Sequence, residues 1–179
     1  TVSGIEKKQN YHLLPWGKMR ESFYNIKRSH LLIYTKSNTI PQIHGKIKNF
    51  RLKDFIISNY ESKLFYYNSK KFKEIKILKE PVYAFCGLGD YKSFFNSLIE
   101  LGINVEKKEY FSDHQNYSDR VIKKLYKKIK LQTVVTTEKD LVKLPQFFID
   151  SFQIYIVKIS INIVDDFLLT NKINKLFNK

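Results

Sequence analysis

Short runs of apolar, β-branched and aromatic residues alternate along most of this chain with segments in which apolar residues recur every three or four positions. The runs are typical of buried strands, and the wider spacing is typical of helices that bury one face. We therefore predict strands at 31–35, 63–67, 82–86, 105–111, 131–136 and 153–159, and helices at 51–58, 91–101, 121–129 and 165–177. This alternation predicts an α/β fold with a mostly parallel, Rossmann-like sheet flanked by helices.

Local signals mark the ends of several of these elements. The strand at 82–86 is almost wholly apolar and enters a glycine-containing turn at once, which indicates a central strand. Asp90 can cap the helix that follows, and Gly102 can terminate it. Thr137 and Asp140 have the spacing of a capping box and predict another helix start.

The composition favours a packed domain. The 179 residues are 43% hydrophobic and include 14 Phe and 12 Tyr but only 6 Gly and 4 Pro, which argues against disorder. The single cysteine, Cys86, excludes an internal disulfide framework and is compatible with a reducing compartment. No apolar run approaches the roughly 18 to 20 residues of a bilayer-spanning helix, and residues 1–10 lack the core of a signal peptide. We therefore expect a cytoplasmic protein.

The formal charge of +15 restricts the class of partner without identifying it. Lysine and arginine number 32 against 17 acidic residues, so the surface would attract phosphates, nucleic acid or anionic lipid. The lysines at 123–130 lie between apolar positions of one predicted helix, as they would on any solvated helix face. A biased genome composition would also produce this excess of lysine and is the alternative explanation.

Two glycines, Gly87 and Gly89, follow the predicted central strand. Between a strand and a helix, glycines let backbone amides approach an anion at the helix start. The segment lacks the third glycine of a dinucleotide-binding fingerprint and the Gly-Lys-Ser/Thr of a Walker loop. A purely structural turn is therefore the alternative.

A second segment, 111–117, places Asp113 and His114 side by side between a predicted strand and a predicted helix. A carboxylate can fix the tautomer of a histidine and raise its basicity, so the pair is a candidate for catalysis. The alternative is that Asp113 caps the helix and His114 is a surface residue.

Charged residues in two further segments are candidates for phosphate or metal binding. In 136–140, helix capping explains Thr137 and Asp140 but not Lys139, which could meet a phosphate or pair with a carboxylate. In 13–21, Arg20 and Glu21 follow a turn that contains proline and glycine. The arginine fork suits phosphate oxygens, and the glutamate could hold that fork or help to bind a metal. A surface ion pair is the alternative.

Taken together, in this order and at this spacing, the four segments resemble the tetraacyldisaccharide 4'-kinase family. Its members carry a Leu-Pro-x-Gly-x-Leu-Arg-Glu-like stretch, a Phe-Cys-Gly-Ile-Gly-Asn-Pro-like turn followed by Phe-Phe, a Phe-x-Asp-His-His-x-Tyr/Phe-like loop and a Thr-Thr-Glu-Lys-Asp-x-Val-Lys-like segment. The matching stretches here are 14–21, 85–90 with 94–95, 111–117 and 136–143, so the resemblance covers nearly the whole chain. Asp90 and Tyr91 replace the usual Asn-Pro, and Gln115 replaces the second histidine.

The resemblance implies the C-terminal lobe of a two-lobed P-loop kinase. The family enzyme transfers the γ-phosphate of ATP to the 4'-hydroxyl of tetraacyldisaccharide 1-phosphate and forms lipid IVA, in lipid A biosynthesis. Its ATP-binding loop and catalytic aspartate lie upstream of the first matching stretch, and the start at Thr1 rather than methionine fits a missing N-terminal lobe. Residues 1–30 would be an interlobe segment, and 31–179 would form the C-terminal lobe. We expect that lobe to be inactive alone and ATP and Mg²⁺ to bind mainly to the N-terminal lobe.

The resemblance also implies roles for the candidate residues. His114 would reach the catalytic carboxylate across the interlobe cleft with support from Asp113, and Arg20 and Glu21 would lie near the phosphates or the metal. The remaining candidates would line the cleft: Lys139, Gly87 and Gly89. The basic surface would meet an anionic membrane at the inner face of the inner membrane, with no nucleic acid as partner. A basic nucleic-acid-binding module and a nucleotide-sugar-binding domain are the alternatives.

Overall fold

The computed structural model describes residues 2–3, 12–17, 19–37, 39–41, 54–68, 70–113, 116–130 and 132–177. Its strands are β1 (Val2–Ser3), β2 (Leu32–Thr35), β3 (Phe55–Asn68), β4 (Lys71–Ile75), β5 (Val82–Cys86), β6 (Val105–Tyr110), β7 (Thr133–Thr137) and β8 (Gln153–Ile163). Its α-helices are α1 (Tyr91–Glu100), α2 (Asp119–Lys128), α3 (Glu138–Leu141), α4 (Gln146–Ser151) and α5 (Asp166–Phe177). The chain divides into a first unit, 1–61 with 161–179, and a second unit, 62–160.

The second unit contains a parallel sheet whose strands follow the order β8–β7–β5–β6. Strand β5 lies between two parallel neighbours and is buried along its whole length, which explains why its sequence shows no polar alternation. Strand β7 is buried in the same way. The predicted central strand and parallel sheet are therefore confirmed.

Alternate residues of β5 contribute to two hydrophobic clusters, because successive side chains of a strand point to opposite faces of the sheet. Phe85 belongs to the cluster that contains Leu125 of α2. Ala84 belongs to the cluster that contains Leu98 of α1. A sheet covered by helices on both faces is the arrangement predicted from the sequence.

An antiparallel hairpin that the hydrophobic pattern did not indicate extends the second half of β3. Residues 64–68 pair with 71–75, and Lys70 at the turn has a φ of 64°. Strand β4 is charged and mostly exposed, so it lacks the apolar alternation from which a strand is predicted. The ammonium of Lys158 lies 3.7 Å from the centre of the Phe72 ring, and this cation–π contact covers part of the hairpin.

The first unit contains a parallel arrangement of β1, β2 and the beginning of β3. The predicted helix at 51–58 is wrong over its described part, because β3 begins at Phe55. The side chain of Ser58 is buried, and its hydroxyl donates a hydrogen bond to the carbonyl oxygen of Tyr34 at 3.2 Å. Pairing with β2 thus overrides the local helical pattern. Residues 51–53 of the prediction lie outside the described residues.

Helix ends follow the local signals closely. The Ser93 amide donates to the Asp90 carboxylate at 3.2 Å at the start of α1, and Gly102 follows the helix with a φ of 68°, a left-handed conformation that favours glycine. In the first unit, the Leu168 amide donates to Asp165 at 2.9 Å at the start of α5. No helix in the part of the chain that the structure describes is long and apolar enough to span a bilayer.

Candidate functional site

Three of the four candidate segments meet at one edge of the parallel sheet in the second unit. Strands β5, β6 and β7 end at Cys86, Tyr110 and Thr137, and each is followed directly by a segment singled out from the sequence. Because the strands are parallel, their carboxyl ends lie at the same edge, where α/β sheets bind their ligands. The sheet therefore brings together residues that are about 25 to 50 positions apart in sequence.

A fully buried carboxylate, that of Asp140, connects the three segments. One of its oxygens accepts two hydrogen bonds, from the Gly87 amide at 2.9 Å and from the Thr137 hydroxyl at 2.7 Å. The other oxygen accepts a hydrogen bond from the Tyr117 hydroxyl at 3.1 Å. Three donors from three segments thus compensate for the removal of this carboxylate from water.

The helix start predicted at Thr137 is confirmed, and Thr137 caps α3. The Asp140 amide donates to the Thr137 hydroxyl oxygen at 3.1 Å, while the Thr137 hydroxyl donates back to the Asp140 carboxylate. The first of these bonds satisfies a backbone amide that the first turn of a helix leaves without a partner, and the second joins the two side chains. This cap does not account for the hydrogen bonds to Gly87 and Tyr117, which join distant parts of the chain.

The side chain next to Asp140 in sequence, Lys139, pairs with a carboxylate, which was one of its two predicted partners. Its ammonium lies 2.7 Å from the carboxylate of Asp113. Lys139 and Asp113 have exposed side-chain fractions of 37% and 49%, so solvent screens the pair and its contribution to stability is small. The pair joins the loop after β6 to the helix after β7.

The turn after β5 is shaped by its contacts with these carboxylates. A Cβ atom added to Gly89 would lie 3.4 Å from a carboxylate oxygen of Asp113, an ordinary van der Waals distance, so that side chain lies beside the turn. The Gly87 amide is engaged by Asp140. An anion approaching the turn would therefore compete with one carboxylate for this amide and lie close to another.

Burial near Asp140 shifts two ionisable groups. Burial, and secondarily the charge of Asp140, raises the pKa of the Cys86 thiol to about 12. The same two causes, with the hydrogen bond to Asp140, raise the pKa of Tyr117. Both groups are therefore neutral at physiological pH, and the tyrosine hydroxyl is a hydrogen-bond donor to the carboxylate.

Sequence reasoning offered helix capping as the alternative role of Asp113, and this alternative is wrong. Helix α2 begins after Ser118, whose side chain makes no capping hydrogen bond. Asp113 lies five residues earlier and pairs with Lys139 instead. His114 and Gln115 lie outside the described residues, so the proposed partnership between Asp113 and His114 stays a prediction.

The fourth candidate segment lies in the first unit. Its chain reversal is tight, because the Gly17 amide donates to the Leu13 carbonyl at 3.0 Å and a Cβ on Gly17 would lie 2.3 Å from the His12 carbonyl oxygen. Glu21 pairs with Arg28 at 2.8 Å, so the surface ion pair of Arg20 with Glu21 that the sequence offered as the alternative is wrong in its partner.

Asp140 and Tyr117 are the residues that sequence reasoning did not propose for the site. The capping-box spacing gave Asp140 a sufficient local explanation, and Tyr117 matched a position where the resembled family has either tyrosine or phenylalanine. A polar residue with 0% exposure is the signal that identifies Asp140, and it is visible only in the structure. Within the described residues, no group of three or more His, Cys, Asp or Glu side chains could hold a metal ion.

Comparison with known proteins identifies the family to which this geometry belongs. The family model for tetraacyldisaccharide-1-P 4'-kinase matches residues 2–178. The chain belongs to this kinase family. Among curated tetraacyldisaccharide 4'-kinases, the relative from Ruthia magnifica is 30% identical over 170 residues, which cover 93% of this chain and 47% of the relative. The relative from Desulfotalea psychrophila is 27% identical over 146 residues, which cover 77% of this chain and 42% of the relative.

A solved structure of the kinase family has the same fold. The crystal structure of LpxK from Aquifex aeolicus in complex with ATP matches with a TM-score of 0.66 and 28% identity. The match covers 98% of this chain and 51% of that chain. The chain thus spans about half the length of these kinase relatives.

Proposed function

We propose that this chain is the C-terminal portion of an ATP-dependent kinase that phosphorylates the 4'-hydroxyl of tetraacyldisaccharide 1-phosphate and forms lipid IVA. The match of residues 2–178 to the kinase family carries this proposal. The meeting of three candidate segments at the carboxyl edge of one sheet supports it, because α/β sheets bind ligands there. Residues 1–30 would be the interlobe segment and 31–179 the C-terminal lobe, with a P-loop lobe preceding them.

In the proposed enzyme, the side chains of this chain position groups and balance charge rather than form covalent bonds. His114 would reach the catalytic carboxylate of the other lobe, and Asp113 would support it. Arg20 and Glu21 would lie near the phosphates or the metal. The Asp113–Lys139 ion pair already present in the second unit would line the cleft, together with Gly87 and Gly89.

ATP and Mg²⁺ are the proposed cofactors, and both would bind mainly outside this chain. The described residues offer no cluster of three or more metal-binding side chains, so they do not fit a complete Mg²⁺ site. The Gly87 amide is held by Asp140 rather than directed to a ligand. The preceding P-loop lobe would therefore bind the nucleotide phosphates, and the C-terminal lobe would contribute side chains from its sheet edge.

We propose that the enzyme works at the cytoplasmic face of the inner membrane, where its acylated substrate lies. The net charge of +15 would draw the protein to anionic lipid. Helix α2 contributes to this charge with an exposed face that includes Arg120, Lys123, Lys124 and Lys127. Sedimentation with vesicles of phosphatidylglycerol, compared with neutral phosphatidylcholine vesicles, tests this part of the proposal.

Transfer of radiolabelled phosphate tests the activity directly. We expect the complete gene product to transfer the γ-phosphate of labelled ATP to tetraacyldisaccharide 1-phosphate, and we expect the 179-residue chain alone to transfer none. A complete gene product that binds the lipid but transfers no phosphate contradicts the proposal.

The His114→Ala variant of the complete gene product tests the proposed catalytic residue. General acid–base and closely related positioning roles contribute about 100-fold or more to turnover, so we expect kcat to fall by about that factor with little change in KM for ATP. His30→Ala, which removes an exposed histidine outside the four candidate segments, is the control. Unchanged turnover in His114→Ala would reject the role of the imidazole.

A further inference from the structure

The hydrogen bonds of Asp140 exceed what helix capping requires. Helix α3 has four residues, and the reciprocal contact with Thr137 already caps it. The bonds from the Gly87 amide and the Tyr117 hydroxyl come from residues 53 and 23 positions away. A local cap would not need them, so the buried carboxylate has a second role.

The partners of Asp140 in the described part of the chain are neutral donors rather than a cation. Its oxygens receive one backbone amide and two hydroxyl groups, and the residue has 0% exposure. A buried carboxylate is stable only while such donors remain in place, because each lost donor leaves part of the charge without a partner. This requirement fixes the donors relative to one another.

The two distant donors lie on the segments that surround the Asp113–Lys139 ion pair. Gly87 belongs to the same turn as Gly89, and the Asp113 carboxylate lies beside that turn, since a Cβ added to Gly89 would be 3.4 Å from it. Tyr117 lies four residues after Asp113 on the same loop, and Lys139 is the sequence neighbour of Asp140. Each member of the ion pair is thus connected to the buried carboxylate through a short path.

We propose that Asp140 is a positioning residue for the phosphoryl transfer. By holding the Gly87 amide and the Tyr117 hydroxyl together, it fixes the turn after β5 and the loop after β6, and so places the Asp113–Lys139 pair at the sheet edge. The inference rests on the proposed function. Misplacement of catalytic groups by about 1 Å can lower turnover by about 100-fold, so a residue that touches no substrate can control kcat.

Three conservative variants of the complete gene product test the positioning role. Asp140→Asn keeps the size of the side chain and removes its charge, and we expect kcat to fall by about 100-fold while KM for ATP changes by less than about threefold. Tyr117→Phe removes one hydroxyl, and we expect kcat to fall by about 3- to 10-fold. The matched control is Tyr83→Phe.

Tyr83 is a suitable control because it shares the surroundings of Tyr117 but not its connection to the loops. Its hydroxyl donates to the Glu109 carboxylate at 2.6 Å, and both tyrosines belong to the same hydrophobic cluster. We expect Tyr83→Phe to lower thermal stability, by less than Tyr117→Phe because solvent reaches Glu109, and to leave kcat unchanged. Equal losses of kcat in Tyr83→Phe and Tyr117→Phe would show that Tyr117 has only a structural role, and would overturn the proposal.

Alkylation of Cys86 gives a readout that does not depend on activity. The thiol is fully buried and lies directly before Gly87, so loosening of the turn should expose it. We expect iodoacetamide to modify Cys86 at least about tenfold faster in Asp140→Asn than in the wild type, and at the wild-type rate in Tyr83→Phe, as measured by peptide mass spectrometry. Equal rates in the wild type and Asp140→Asn overturn the proposal even if kcat falls.

The two readouts separate failure of the inference from failure of the proposed function. A wild-type protein without kinase activity but with the expected alkylation rates rejects the function and the positioning role, while it confirms that Asp140 fixes the turn. An active wild type whose Asp140→Asn variant keeps full kcat rejects the inference alone. Should Asp140→Asn fail to fold, the comparison of Tyr117→Phe with Tyr83→Phe decides between the two roles.

Discussion

Two tyrosine–carboxylate contacts in the second unit share a hydrophobic cluster but differ in what surrounds the carboxylate. Tyr117 donates to Asp140, whose other partners are a backbone amide and a second hydroxyl. Tyr83 donates to Glu109, which also accepts from the ammonium of Lys128 at 2.5 Å. The first carboxylate is fully buried, and the second lies at the edge of the sheet with a side chain 22% exposed.

The same pair of residue types therefore serves two purposes. At Glu109, solvent and a partly exposed lysine can compensate when one partner is lost, so the contact adds modestly to stability. At Asp140, each partner is a fixed group from a different segment. Because solvent does not reach this carboxylate, water cannot replace a lost partner. The buried carboxylate of Asp140 fixes the conformation of the loops, whereas the carboxylate of Glu109 at the sheet edge mainly joins β6 to α2.

The largest effect should come from removing the buried carboxylate. Asp140→Ala leaves a buried amide and two hydroxyls without their acceptor, and we expect a loss of about 3–5 kcal/mol in the free energy of opening for β5 and β7. Hydrogen–deuterium exchange of peptides from these strands measures it. Asp113→Ala, which removes a half-exposed carboxylate, is the control and should cost less than about 1 kcal/mol. Similar losses in the two variants would show that burial does not set the importance of a carboxylate here.

The coupling between each tyrosine and its carboxylate should be the next effect in size. In a double-mutant cycle, we expect Tyr117→Phe with Asp140→Asn to show about 1.5–3 kcal/mol of coupling, because hydrogen bonds to buried charged groups fall in that range. The corresponding cycle of Tyr83→Phe with Glu109→Gln should show less, because solvent reaches that carboxylate. A larger coupling energy for Tyr83 with Glu109 than for Tyr117 with Asp140 would contradict this expectation.

The smallest effect concerns the dependence of stability on pH. Burial of Glu109 acts to raise its pKa, but the hydrogen bonds from Lys128 and Tyr83 and the charges of Lys128 and Lys124 outweigh burial and lower it. The unfolded chain therefore binds this proton at a higher pH than the folded chain does. The contribution of Glu109 to stability is full above its unfolded pKa near 4.5 and is lost as the pH falls through the lower, folded value.

Glu109→Gln tests this dependence on pH. We expect the variant to be less stable than the wild type at pH 7 by under about 1 kcal/mol, and the difference to shrink as the pH falls below about 4. Hydrogen–deuterium exchange of β6 peptides between about pH 7 and about pH 3.5 measures this stability difference. The control is Glu106→Gln, which changes an exposed glutamate on the same strand. A difference that grows with acidification would mean that folding raises the pKa of Glu109 instead of lowering it.

Much of the second unit was predictable because its signals are local. The unbroken apolar run of β5, the capping residue Asp90 and the terminating Gly102 each act over a few positions, and each was confirmed. The charged hairpin strand β4 was missed because it lacks hydrophobic alternation. The helix predicted at 51–58 was wrong at Phe55, because strand pairing with a distant segment outweighs helical propensity.

Patterns along the chain were enough to establish the α/β class, the helix cap at Thr137, and the four segments that resemble the kinase family. How these segments contact one another became visible in three dimensions alone. The Gly87 amide and the Tyr117 hydroxyl reach Asp140 because three parallel strands end at one edge, and this closeness depends on strand order rather than on spacing in sequence. A pattern of apolar and polar positions indicates which face a residue prefers, whereas the partner of a buried charge is set by the fold.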